Sequence, residues 1–184
     1  MMNSELSLKL NQLYEQDFNL WLQQTIQLLE TKHFEELDCQ NLIEELDSMG
    51  KNDKNALKSN LRILLMHLLK YRFHPEKRSN SWQYTIIEHR QRIEDALENS
   101  PSLKPFLENI FIQCYQDAQK LAAAETGLPR SCFPEKCPFS IEETLNIDYL
   151  PNCDNSHIAG NREHFDKLSA KQGTGNSEGK DFSV

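Results

Sequence analysis

The most apolar stretch of the chain, residues 57–71, predicts a buried central helix. Its leucines recur at spacings of four, three and four residues, which places them on one helical face; they are Leu57, Leu61, Leu64 and Leu68. Further apolar residues fall on the other sides, which is typical of a helix that other elements surround. Pro75 disfavours helical backbone at His74, so we predict that the helix ends there.

Two amphipathic helices are predicted before the central one. Asp17 and Asp38 can each cap a helix, because a carboxylate accepts hydrogen bonds from the free N–H groups of the first turn. The apolar positions that follow are Phe18, Leu22, Thr25, Ile26 and Leu29 in the first helix, and Leu42, Ile43, Leu46 and Met49 in the second. Gly50 marks an end or a kink, so over residues 39–73 we predict two helices rather than one bent helix.

Two more long helices are predicted after the central one. Ser79 or Ser81 can cap the first of them. Ser100-Pro101 predicts a new start, because proline at the first helical position has no N–H that the helix would need. Gly127 is a stop signal. Four or five helices with short connections argue for an all-α, up-and-down bundle.

After Gly127 the helical period disappears. Three prolines between residues 128 and 139 predict an extended segment, and the sequence from Ser140 to Glu143 has the form of a capping box that starts one short helix. From residue 152 the chain is polar and glycine-rich, which is typical of disorder. The predicted organisation is a loose lead-in (1–13), a helical bundle (14–151) and a disordered polar tail (152–184).

Composition narrows the classes of function. The chain has 184 residues and a formal net charge of −8, whereas a generic nucleic-acid binder is usually basic. Five cysteines without a C-x-x-C pair indicate a reducing compartment. The N-terminus lacks the apolar core of a signal peptide, and the central apolar run is shorter than the roughly 20 residues that span a bilayer. We therefore predict a cytoplasmic protein with no membrane partner; the oligomeric state stays open.

Six motifs in this order and spacing resemble one protein family. They are DFNLWL (17–22), LIEELDSMG (42–50), LLMHLLKYRFHPEKRSNSW (64–82), SPSLKPFL (100–107), ETGLP (125–129) and FPEKCPFS (133–140). Together they resemble the bacterial domain of unknown function 29 family, which is common in cyanobacteria, over about residues 14–151. The resemblance implies a compact all-helical bundle and implies no activity. His74 departs from the family pattern, in which a glutamine is expected at this position in many relatives.

The first candidate site is a cluster of positive charge and aromatic rings around the turn before Trp82. Its predicted binding residues are Lys70, Arg72, His74, Arg78, Trp82 and Arg90. Arginine can hold phosphate through two hydrogen bonds while aromatic rings stack on bases, and the same surface could instead dock a protein. The structural alternative is a solvated surface whose cations pair with acidic side chains of neighbouring helices.

The second candidate site is a polar group inside the bundle, formed by Glu45, His67, Lys70 and His89. Carboxylates and imidazoles that converge in a bundle core can bind a metal and support a metal-assisted hydrolase or nuclease. A di-metal bundle needs paired E-x-x-H motifs, and the chain has one, Glu30 to His33, at a helix end. The structural alternative is a buried polar network, for instance Glu45 with Lys70 or His67.

No motif of catalytic specificity is present. Neither G-x-S-x-G nor a glycine-rich phosphate loop occurs, and Cys132 and Cys137 are loosely spaced for a zinc site with His157 or His164. We expect no metal and no cofactor, and the sequence does not decide whether the chain is an enzyme. The predicted function is a binding module for a protein, with nucleic acid less favoured, at the basic-aromatic turn near residues 70–92. The metal-assisted hydrolase is the alternative.

Overall fold

The computed structural model describes residues 10–152, which contain six α-helices and no β-strand. The predicted all-α class is confirmed. The helices are α1 (10–16), α2 (Phe18–Glu30), α3 (Cys39–Phe73), α4 (Asn80–Asn99), α5 (Lys104–Thr126) and α6 (Ile141–Leu145). Within these residues, none of the helices is both long and apolar enough to cross a membrane. The predicted polar tail lies outside the described residues from 153 onward.

Residues 39–73 form one helix of 35 residues, so the prediction of two helices is wrong. Gly50 lies in the interior of α3, and among the described glycines only Gly127 has a positive φ. A glycine in a helix costs about 1 kcal/mol relative to alanine. That cost is too small to end a helix whose neighbouring residues all accept helical backbone and include no proline.

Most of the predicted helix boundaries are confirmed by their capping contacts. The carboxylate of Asp17 accepts from the Leu20 N–H at 3.0 Å, and Ser79, rather than Ser81, accepts from the Trp82 N–H. Gly127 ends α5 with φ +72°. Ser140 and Glu143 form the predicted capping box. A single 3₁₀ turn over Pro101–Leu103 delays the start of α5 to Lys104.

The chain divides into two compact units, with the boundary between Asn55 and Ala56. We call the described parts the N-terminal unit (10–55) and the C-terminal unit (56–152). In the C-terminal unit α4 runs antiparallel to α3, because Trp82 contacts His67 while His89 contacts Asn60, two turns earlier on α3. α5 runs parallel to α3, since Glu125 pairs with Lys70 while Cys114 contacts the Lys58 carbonyl, so the three long helices of this unit follow the predicted up-and-down order.

The core of the C-terminal unit surrounds the second half of α3. Six α3 leucines have no solvent exposure, and they pack with apolar side chains from α4, α5 and the following segment; the α3 members are Leu57, Leu61, Leu64, Leu65, Leu68 and Leu69. The predicted central helix is confirmed. Phe133 and Phe139 join the same core, so the proline-rich segment covers part of it.

The N-terminal unit has a much smaller core. Trp21 is fully buried and packs edge-on against the ring of Tyr14 at a centroid distance of 5.0 Å. The Tyr14 hydroxyl donates a hydrogen bond of 2.5 Å to the Glu45 carboxylate. Residues 10–13, which the sequence places in a loose lead-in, are helical, and Leu10 is buried. Most of the apolar positions predicted as the inner faces of α2 and early α3 are exposed.

Truncation of the α3 core should destabilise the C-terminal unit. We expect Leu64→Ala to lower the free energy of unfolding by about 2–5 kcal/mol, because the lost methyl groups leave a cavity in a core position. Ile112→Ala on α5 is the matched control, since this side chain is exposed and the expected change is below about 0.5 kcal/mol. Urea denaturation of both variants checks this, and equal midpoints for them would contradict the buried position of Leu64.

Candidate interaction site at the turn between α3 and α4

Four side chains from three helices meet His74, the residue that follows α3, beside the turn that joins α3 to α4. We call these five residues the Trp82 cluster: His67, Lys70, His74, Trp82 and Glu125. His67 and Lys70 lie three positions apart in the last turns of α3, which places them on one side of the helix, and His74 directly follows the helix end. The Ser79 cap fixes the start of α4 and therefore the position of Trp82. The rings of His67 and His74 have their centroids 6.4 and 6.3 Å from that of Trp82.

A buried ammonium group lies at the centre of the cluster. The Lys70 side chain is nearly inaccessible and forms a salt bridge with the half-exposed carboxylate of Glu125 in the last turn of α5. Its Nζ atom also lies 4.4 Å from the centroid of the Trp82 ring. A buried cation needs such compensation, because its loss of hydration is expensive. Lys70 is therefore committed to contacts inside the protein.

His67 is a neutral imidazole at neutral pH. Burial lowers its pKa to about 4, and the charge of Lys70 and the neighbouring His89 act in the same direction. Its Nδ1 atom is buried without a hydrogen-bond partner among the described residues, and the same holds for Nδ1 of His74. A base with so low a pKa is poorly matched to proton transfer near pH 7.

The four predicted catalytic residues have different surroundings. Glu45 belongs to the N-terminal unit, where its carboxylate accepts from Tyr14, whose pKa it raises to about 12. His89 hydrogen-bonds Asn60 at 2.9 Å, and burial followed by the charge of Arg92 lowers its pKa. Only His67 and Lys70 of the four share the Trp82 cluster. Among the described residues no group of three or more His, Cys, Asp or Glu side chains is placed to bind a metal ion; His157 and His164 lie outside them.

The arginines of the predicted basic cluster hold the chain that follows α5. We call residues 128–152 the C-terminal segment. The buried guanidinium of Arg90 donates to three of its carbonyl oxygens, those of Thr144 (2.8 Å), Ile147 (3.3 Å) and Glu143 (3.4 Å). Burial lowers the pKa of Arg90 to about 10, so it stays charged at neutral pH.

Arg78 and Arg72 also contact the C-terminal segment. Arg78 donates to the Tyr71 carbonyl oxygen at 2.7 Å and to that of Pro151 at 3.4 Å, and its guanidinium lies 4.1 Å from the Tyr71 ring centroid. Arg72 lies 5.9 Å from the ring centroid of Phe139. The cations predicted to bind a partner thus contact aromatic rings and backbone carbonyls, and Lys70 and His74 also lie against the carboxylates of Glu125 and Glu76.

Sequence reasoning missed two polar residues and one exposed apolar residue. Tyr115 and Gln119 on α5 both donate to the carbonyl oxygen of Pro134, the tyrosine at 2.5 Å. Their spacing of four residues places both side chains on one side of α5, and this spacing could have indicated that they act together. Ile87 is exposed on α4, one turn after the exposed Tyr84. It falls outside the helical stripe that predicts the buried side of α4, formed by Trp82, Ile86, His89 and Ile93, and this position could have indicated its exposure.

One comparison with known proteins decides the family. The model of the family described as Domain of unknown function DUF29 matches residues 13–150. The chain belongs to the DUF29 family. This match confirms the resemblance of the six sequence motifs. No curated protein and no solved structure matches the chain.

Loss of the Arg90 contacts should destabilise the DUF29 chain strongly. We expect Arg90→Met to cost about 1–3 kcal/mol or more, because it leaves buried carbonyl oxygens without a donor. Arg92→Met is the matched control on the same helix: Arg92 is exposed and pairs with Glu88, and such pairs contribute at most about 1 kcal/mol. Thermal and urea unfolding of the two variants make the comparison. An Arg90 variant as stable as the Arg92 variant would contradict the role of Arg90.

Acidification should destabilise the chain through His67. The unfolded chain binds a proton with a pKa near 6.5, whereas folded His67 has a pKa of about 4. The unfolded state therefore binds more protons between these values, and stability falls as the pH decreases. The expected loss from this group is about 2 kcal/mol between pH 7.5 and pH 5. Urea denaturation at both values should show that His67→Gln removes this part of the decrease; an unchanged pH dependence would contradict it.

Proposed function

We propose that this DUF29 chain is a protein-binding module whose partner contacts α4 next to the α3–α4 turn. The observation that carries the proposal is the exposure of Tyr84 (66%) and Ile87 (51%), three residues apart on one side of a long helix. We call this surface the α4 face and include in it the exposed polar residues Asn80 and Gln91, one turn before and one turn after. An apolar centre with a polar rim is the usual anatomy of a protein interface.

The Trp82 cluster supports this function by making the start of α4 rigid. Lys70 and two histidines pack around Trp82 directly beside the α4 face. A surface held in one conformation loses less entropy on binding, which improves affinity. Tyrosine is enriched among the residues that dominate binding energy, because its large ring brings contact area at a low entropic cost.

The contacts of the cations favour a protein over a nucleic acid. Phosphate recognition needs arginine or lysine groups that can turn toward the ligand. Lys70 is paired with Glu125, and Arg78 and Arg90 donate to backbone carbonyls. The net charge of −8 also disfavours binding to a nucleic acid. The cysteine usage supports a cytoplasmic location for this binding reaction.

Quantitative affinity capture tests the proposal. The tagged wild-type chain, Tyr84→Ala/Ile87→Glu and the control Ile112→Glu are used as baits in an extract of the source organism. Ile112 is 58% exposed but lies on α5, so the control changes an apolar surface residue outside the α4 face. We expect at least one protein to be captured by the wild type and the control and to be depleted at least tenfold with the α4 variant.

A direct measurement completes the test. The captured protein is purified and titrated calorimetrically against the three baits, and the α4 variant is expected to bind about tenfold to a hundredfold more weakly, as loss of an interface anchor does. Two results would overturn the proposal. One is that no captured protein distinguishes the α4 variant from the control. The other is salt-sensitive binding of the wild type to short oligonucleotides that both variants retain.

A further inference from the structure

The N-terminal unit exposes two apolar stripes. On α2 the stripe consists of Phe18, Leu22, Ile26 and Leu29, which repeat every three to four residues and are 39–47% exposed. On the first part of α3 the stripe consists of Ile43, Leu46 and Met49, which are 59–64% exposed. Scattered apolar residues on a surface are ordinary, whereas a contiguous exposed stripe marks an interaction surface.

The small core of this unit adds a second reason for an interaction. Its buried large apolar side chains, among the described residues, are Leu10 and Trp21. A helix pair must bury its apolar side against another element to be stable, and so small a core contributes little stability. Burial of the exposed stripes against a partner would therefore add to the small stability that this core contributes.

The exposed area fits a second copy of this chain. If a large apolar side chain offers about 200 Å² when fully exposed, the two stripes present roughly 700 Å². A stable interface buries about 800 Å² on each partner. A two-fold symmetric pair uses the same patch on both subunits, and two helix pairs that join through their apolar sides form a four-helix bundle.

Gly50 and the charges around it indicate where the two copies cross. Gly50 lies four residues after Leu46, on the same side of α3, and a Cβ atom there would have no neighbour within 4 Å. Glycine weakens a helix but lets another backbone approach closely. Asp47 and Lys54 are seven residues apart and flank this position on one side of α3. An antiparallel crossing at Gly50 would place Asp47 of one copy near Lys54 of the other, an attractive pair.

We propose that the chain forms a homodimer through these apolar stripes, with the two α3 helices antiparallel and crossing at Gly50. This inference does not depend on the α4 face. The full chain is studied by sedimentation equilibrium and by chromatography with light scattering from 1 to 100 μM. The expected mass is twice the 21.5 kDa of one chain. A single-chain mass throughout this range would overturn the proposal.

Substitutions in the stripes test the position of the interface. Leu46→Glu and, independently, Ile26→Glu are expected to weaken dimerisation at least tenfold, because each buries a carboxylate against apolar side chains. The control Ile112→Glu places the same charge at an exposed position of α5 and should stay dimeric. Circular dichroism confirms that each variant keeps its helix content. A dimer that withstands both stripe substitutions would overturn the proposed interface.

A charge exchange tests the antiparallel orientation. Asp47→Lys should weaken the dimer, because it places like charges near each other, and the double variant Asp47→Lys/Lys54→Asp should restore it. Rescue distinguishes a contact between copies from a simple loss of helix stability through the pair that Asp47 makes with Lys51. If the double variant dimerises no better than Asp47→Lys alone, the antiparallel arrangement is wrong.

Discussion

The burial of the second half of α3 is the constraint on which the C-terminal unit depends. Its six leucines are fully inaccessible and cover one broad side of the helix, and the buried residues Met66, His67 and Lys70 extend the enclosed surface around the axis. A helix that is enclosed on most of its sides needs more than one neighbouring element. α4, α5 and the C-terminal segment each supply apolar side chains to the surrounding core, and the two aromatic residues Phe133 and Phe139 come from the segment. The irregular segment is thus as necessary to this core as the regular helices.

The backbone of the C-terminal segment needs hydrogen-bond donors, and long polar side chains of the helices supply them. Its carbonyl oxygens have no regular partners, and a buried carbonyl without a donor is costly. Arg78 and Arg90 reach it from the α3–α4 side, while Tyr115 and Gln119 reach it from α5. This use of the arginines gives a structural reason for the local concentration of positive charge in an acidic chain.

The two halves of α3 show how the surroundings give similar residues different roles. After residue 56 the leucines of α3 are enclosed, whereas Ile43 and Leu46 in the first half are exposed. Both halves have helical apolar periodicity, so the period alone does not distinguish a core from an interaction surface. On α4 the period does distinguish the two, because Ile86 lies in the apolar stripe and is buried, whereas the adjacent Ile87 lies outside it and is exposed.

Local chemistry explains which features of the fold were predictable from the sequence. The caps at Asp17, Ser79 and Ser140 and the stop at Gly127 act within one turn of the chain, so short motifs indicate them. The all-α class follows from the same short-range periodicity. His67, Lys70 and Trp82 were also recognisable as candidate site residues, because they lie close together along the chain. Gly50 misled the prediction of α3, since a weak local penalty is outweighed by the rest of a long helix.

Tertiary structure alone decided the partners of the long polar side chains. Glu125 meets Lys70 across 55 residues of chain, and Arg90 meets Thr144 across 54. A flexible cation can pair with a carboxylate, a ring or a carbonyl, and the choice depends on which group the fold brings within reach. The sequence by itself therefore determined the all-α class, most of the helix ends with their caps, and the family, because these follow from neighbouring residues. The assignment of each charge to structure or to recognition required the packed chain, because only packing sets which groups are buried together.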